Sequence, residues 1–159
     1  MITTRHRFTL MAVLLIGSVL GLSSCYETTT ATNTAPVPQA PISLTATLNG
    51  AQEKPTSTTS TGSGTFAGSI DRTTRVLSYT VTYGGLTAPP IGGHLHRITN
   101  PDGTGPVTIP FAQLTSPIIG TTSTLRQTQI DSMVAGQFYA NIHTPLFPAG
   151  EIRGDIRVR

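Results

Sequence analysis

Beyond residue 41, apolar and polar positions alternate with a period of two through most of the chain. Ile42, Leu44, Ala46 and Leu48 fall on one side of an extended segment, and Ser43, Thr45 and Thr47 on the other. That is the pattern of a strand with one buried face. Asn49-Gly50 supplies turn chemistry after it. Thr65–Ile70 puts Phe66, Gly68 and Ile70 on one face. Val76–Tyr83 does the same with Leu77, Tyr79, Val81 and Tyr83. With the polar turn Asp71–Arg75 between them, these two predict a hairpin. Further strands are expected over Gly92–Ile98, Val107–Phe111, Gln137–His143 and Glu151–Val158. Pro110 confines the second of these to an edge, because it cannot donate to a ladder. In the last, Ile152, Gly154, Ile156 and Val158 should face inward and Glu151, Arg153, Asp155 and Arg157 outward. One segment switches to helical spacing: Ile130, Met133 and Val134 predict a helix over Thr128–Ala135. Thr128 would cap it, Asp131 would lie near its positive end, and Gly136 would end it. Six or seven short strands and one short helix read as an all-β fold, an antiparallel β-sandwich. No internal repeat is visible.

The first residues follow no such pattern. Arg5 and Arg7 precede an unbroken apolar run, Phe8–Gly21, followed by Leu22-Ser23-Ser24-Cys25. The run is shorter than the ~20 apolar residues a bilayer span needs, and it suits a signal peptide. Leu at −3, small residues at −2 and −1, and Cys at +1 resemble the bacterial lipobox. On that reading, residues 1–24 are removed and Cys25 carries the lipid. Cys25 is the only cysteine in the chain, so an internal disulfide is excluded. Residues 25–41 carry three prolines and many threonines but few large apolar side chains. They are expected to form a tether that cannot bury enough surface to offset its ordering entropy. The folded domain is expected over 42–159, outside the cytoplasm and held to a membrane through Cys25.

Composition sharpens this picture in two ways. The 16 Gly and 12 Pro among 159 residues, with only 11% charged residues, disfavour long helices and suit short strands joined by turns. Losing Arg5 and Arg7 leaves eight basic against seven acidic residues, close to balance. No run of Lys or Arg offers a nucleic-acid surface.

The candidate chemistry lies in the histidines. His94 and His96 are two apart on a predicted strand, so both rings share a face. His143 ends another strand, on the face of Tyr139 and Asn141. Three imidazoles brought together suit copper or zinc, with Glu151 or Glu53 completing the shell or orienting a ring. The competing structural reading is that the rings fix loops by bonding backbone carbonyls. Catalysis finds less support: there is no G-x-S-x-G nucleophile elbow. Glu53 and Glu151 are far apart in sequence, and Gly62-Ser-Gly64 and Gly103-Thr-Gly105 lack a phosphate-loop lysine. Arg153-Gly154-Asp155 spells an adhesive tripeptide but lies in a predicted strand.

Four separated blocks resemble the CHRD domain, named for the animal protein chordin and present in many bacterial secreted proteins. They are Leu48-Asn-Gly-Ala-Gln-Glu53, Gly93-His94-Leu-His96, Tyr139-Ala-Asn-Ile-His143 and Phe147-Pro-Ala-Gly-Glu-Ile-Arg-Gly154. Arg97 departs from the glycine expected after the His pair. The resemblance implies an immunoglobulin-like or superoxide-dismutase-like sandwich and leaves the biochemical role open. The extra histidines of a two-metal dismutase site are missing, so dismutase activity is not expected. Two functions compete: a tethered, non-enzymatic binding or structural module with a protein or glycan partner, and an extracytoplasmic Cu/Zn-binding or redox protein using His94, His96 and His143.

Overall fold

The computed structural model describes residues 39–159. The apolar leader, Cys25 and the tether up to residue 38 lie outside the described residues. Residues 39–41 are exposed and irregular, and regular structure begins at Ile42. Nine strands follow: β1 (Ile42–Asn49), β2 (Ser63–Ile70), β3 (Leu77–Gly84), β4 (Gly92–Arg97), β5 (Val107–Pro110), β6 (Ile118–Thr121), β7 (Phe138–His143), β8 (Ile152–Asp155) and β9 (Arg157–Val158). The single α-helix among the described residues, α1, runs Gln127–Val134 between β6 and β7. No helix there is long and apolar enough to cross a membrane.

All pairings are antiparallel, and they run through in one order, β5-β4-β7-β8-β1-β2-β3-β6, with β9 beside β1. The sheet curls into a half-barrel. The period-two pattern fixes its register: Phe66 sits opposite both Ala46 and Val81, and Ile70 opposite both Ile42 and Leu77. The concave side holds the core. Leu48, Phe66, Leu95, Phe138, Ile142 and Ile152 are all fully buried, each contributing about 1.5–3 kcal/mol by leaving water. Helix α1 adds Ile130 and Met133 to this core and leaves Val134 exposed. Every pairing and the whole core close within Ile42–Val158, so this segment holds everything it needs to fold alone.

Three local expectations change. Thr128 lies inside α1, and the first turn is tied instead by Gln129 Oε1, which accepts from the Arg126 amide at 3.0 Å. Gly136 does end the helix, at φ +71°. The strand Glu151–Val158 is interrupted at Ile156, which turns into the core; β9 then leaves Val158 half-exposed rather than inward. Strand β6 carries too little alternation to be read from sequence, with Ile119 outward and exposed and Gly120 against Tyr79.

The site is positioned by the convex face of β4, β7 and β8. Gly93 and Leu95 of β4 point inward, so His94 and His96 point outward. The same alternation sends Tyr139, Asn141 and His143 outward from β7, and Arg153 and Asp155 from β8. Cross-strand pairing lines up His94, Asn141 and Arg153 in one row and His96, Tyr139 and Asp155 in the next. This face is polar, yet much of it is buried: His96 is 7% exposed, Asn141 2% and Arg153 1%. Arg153, expected outward in solvent, is instead covered by the 98–106 loop, whose Gly103 carbonyl it meets. That burial removes the adhesive reading of its tripeptide.

Candidate metal centre

His94, His96 and His143 come together. One ring nitrogen from each lies within 4.8 Å of the others, and His94 Nδ1 is 3.2 Å from His143 Nε2. Nitrogens bound at about 2.0–2.1 Å to one tetrahedral ion stand about 3.3 Å apart. The His94–His143 pair already meets that spacing. The widest pair needs a contraction of at most about 1.5 Å, within reach of small ring rotations.

Two rings are held in one tautomer by backbone carbonyls. His96 Nδ1–H donates to Gly105 O at 2.9 Å, and His143 Nδ1–H donates to Pro148 O at 3.0 Å. Each leaves a lone pair on Nε2. In His96 that atom is buried with no hydrogen-bond partner. In His143 it accepts from His94 Nδ1–H at 3.2 Å, with the Asn141 side-chain amide 3.1 Å away. Of these nitrogens only His96 Nε2 lacks a partner, and a carbonyl on the far nitrogen is how metal-binding imidazoles are normally oriented. Burial, aided by the neighbouring His143 and His96, lowers the His94 pKa to about 4. Burial likewise lowers His96 and His143. All three rings are neutral at neutral pH, the form that ligates.

A stack supports the centre. The His96 ring lies on Tyr139 with centroids 4.6 Å apart and planes within 4°. Strand β7 runs between β4 and β8, so the other face of Tyr139 meets β8, where the Arg153 guanidinium sits 3.6 Å from the ring centroid. Arg153 Nη2 donates to Gly103 O at 2.8 Å and to Asp155 Oδ1 at 2.9 Å. Tyr139 and Asn141 were visible in the sequence as sharing the His143 face. The role of Arg153 was not, because strand alternation alone assigns it to solvent.

The two acids stand outside the histidine group. Glu151 is fully buried, and its carboxylate is fully engaged elsewhere. Oε1 accepts from Ser60 Oγ at 2.6 Å and the Thr87 amide at 2.8 Å; Oε2 accepts from the hydroxyls of Thr87 and Thr144. It joins loops and has no oxygen to spare for a metal. Glu53 is 5% exposed, lies against Gly150, and leaves Oε1 unpartnered. Burial raises its pKa to about 7, against the lowering effects of the Lys54 amide and Arg153. A raised carboxyl stabilises the fold fully below its unfolded value, and the contribution is lost as pH rises through the folded one. Glu53→Gln should therefore leave stability near pH 5 little changed and raise it at pH 8 by about 2 kcal/mol. Urea unfolding at the two pH values checks this, and equal effects at both would contradict it.

Arg97 ends β4 exposed, its amide donating to Thr108 Oγ1 at 3.2 Å. The strand accommodates it where a glycine was expected. No curated protein and no solved structure matches the chain. Residues 44–156, which hold the three histidines, most of β1 and all of β2 to β8, match the CHRD domain, and the chain belongs to that family.

Proposed function

We propose that this chain is an extracytoplasmic, lipid-anchored, non-enzymatic binding module, and that what its CHRD domain binds is one copper or zinc ion held by His94, His96 and His143. The observation that carries the metal reading is the buried, unpartnered His96 Nε2, its lone pair fixed by the Gly105 carbonyl and pointed toward two further neutral imidazoles. An orphaned buried acceptor costs about 1–3 kcal/mol, and a cation bound by His96 Nε2 offsets that cost. Imidazole donors suit copper and zinc and disfavour calcium or magnesium. The anchor reading is supported by the Leu22–Cys25 pattern and by the solitude of Cys25.

The decisive experiment is elemental analysis and calorimetry of the soluble domain, Gln39–Arg159, with copper and zinc. One equivalent should bind, and His96→Ala or His143→Ala should weaken binding more than about 100-fold while the unfolding transition persists. Equal binding in His96→Ala, or none at micromolar metal, overturns the metal reading. The anchor is read separately: Cys25→Ser should move the full chain from the membrane fraction to the soluble one.

A further inference from the structure

Five of the eight Lys and Arg residues in 39–159 gather at the end of the half-barrel where the chain enters it. Arg72 Nε donates to Ala40 O at 2.8 Å. Arg75 lies in the same turn, and its carbonyl accepts from the Leu125 amide at 2.9 Å, which brings Arg126 alongside. Arg157 pairs with Thr45, and the Arg159 amide donates to Ser43 O at 3.0 Å. All five are exposed.

Three acids lie at this end, Asp71, Asp131 and Asp155, the last paired with Arg157 at 3.2 Å, so the five arginines leave a net charge of +2 there. Elsewhere Lys54, Arg97 and Arg153 are matched in number by Glu53, Asp102 and Glu151, so the net positive charge of the described residues resides at the entry end. Between Gln39, Arg72, Arg75 and Gln127 lies a recess of about 180 Å³.

We propose that this arginine face docks on the headgroups of anionic phospholipids. The proposal deepens the anchor reading above and rests on it. If Cys25 carries lipid, the bilayer lies only fourteen residues upstream of Gln39, a span of at most roughly 50 Å. Over such a distance a weak surface attraction acts at high effective concentration. A negative leaflet contributes about fivefold in partitioning for each basic residue at its surface.

The test is sedimentation of unlipidated Gln39–Arg159 with phosphatidylcholine vesicles, with and without phosphatidylglycerol. Binding should appear only with phosphatidylglycerol and fall as salt rises. The triple variant Arg72→Gln, Arg75→Gln, Arg126→Gln should weaken it about 100-fold, and Lys54→Gln should leave it unchanged. The single variants, each about fivefold weaker, carry the same readout should the triple unfold. No preference for phosphatidylglycerol, or an equal loss in Lys54→Gln, overturns the proposal. Because this fragment lacks Cys25, its result is independent of the Cys25→Ser fractionation that judges the anchor.

Discussion

Glu151→Ala should destabilise the domain by about 3–5 kcal/mol, measured by chemical denaturation. The magnitude follows from what the carboxylate holds. It is fully buried and accepts from Ser60 Oγ, the Thr87 amide, Thr87 Oγ1 and Thr144 Oγ1. Thr144 is itself fully buried, so removing the acceptor leaves its hydroxyl only the longer contact to Thr87 Oγ1 at 3.2 Å. Several bonds to one charged group are lost together, and each is stronger than a neutral one. Glu151→Gln keeps the shape but turns an NH₂ toward hydroxyl or amide donors, and should cost about half as much. Burial opposes the charge here, but the donors from Ser60, Thr144 and Thr87 outweigh it and hold the carboxyl below the usual carboxylate range. A depressed carboxyl stabilises the fold above its unfolded pKa, and the contribution is lost as pH falls through the folded value. The wild-type domain should thus lose stability on acidification more steeply than Glu151→Gln. A loss under about 1 kcal/mol in the Ala variant would show that the loops hold without it.

Gly105→Ala should impair both the fold and the histidine centre. A Cβ built at this position comes within 1.7 Å of the Arg97 carbonyl oxygen, which is backbone and cannot rotate away. The 98–106 loop must move off β4, at a cost of about 1–3 kcal/mol. The same glycine supplies the carbonyl that fixes the His96 tautomer, and losing such a partner lowers metal affinity about 10–100-fold. Calorimetry and denaturation on one sample separate the two effects. A variant that loses stability but keeps full affinity would mean that the Gly105 carbonyl does not orient His96.

The strands were legible because a half-buried sheet imposes a simple rule on the chain. Leu44, Ala46 and Leu48, or Leu77, Tyr79 and Val81, advertise one face of a strand to the core whatever its neighbours are. The register of β1, β2 and β3 then follows from matching those faces. Strand β6 escaped because Ile118 and Ile119 are consecutive, one inward and one outward, which erases the alternation. The placement of Thr128 failed for a related reason: several residues near a helix start have the chemistry to bond its free amides, and propensity does not choose among them.

The site divides in the same way. That His94 and His96 share a face, and that His143 shares one with Tyr139 and Asn141, follows from side-chain alternation and needs no structure. That the two faces are the same, on adjacent strands, depends on the order β5-β4-β7-β8, in which β7 lies beside a strand more than forty residues earlier in the chain. Pairings so distant in sequence leave no local trace. Loop coverage is equally invisible. Glu151 and Arg153 sit where alternation predicts solvent, and only the loops that fold over the convex face bury them. This burial turns Glu151 from a candidate ligand into the acceptor joining three loops, and sets Arg153 against Tyr139.

The sequence by itself determined which residues face which side of each strand, the all-β class with one helix, and the histidines as the candidate chemistry, because these depend on spacing and side-chain type alone. Tertiary structure decided which faces meet, which polar groups are withdrawn from water, and which backbone carbonyls select the ring tautomers, because each depends on segments distant in the chain arriving at the same place.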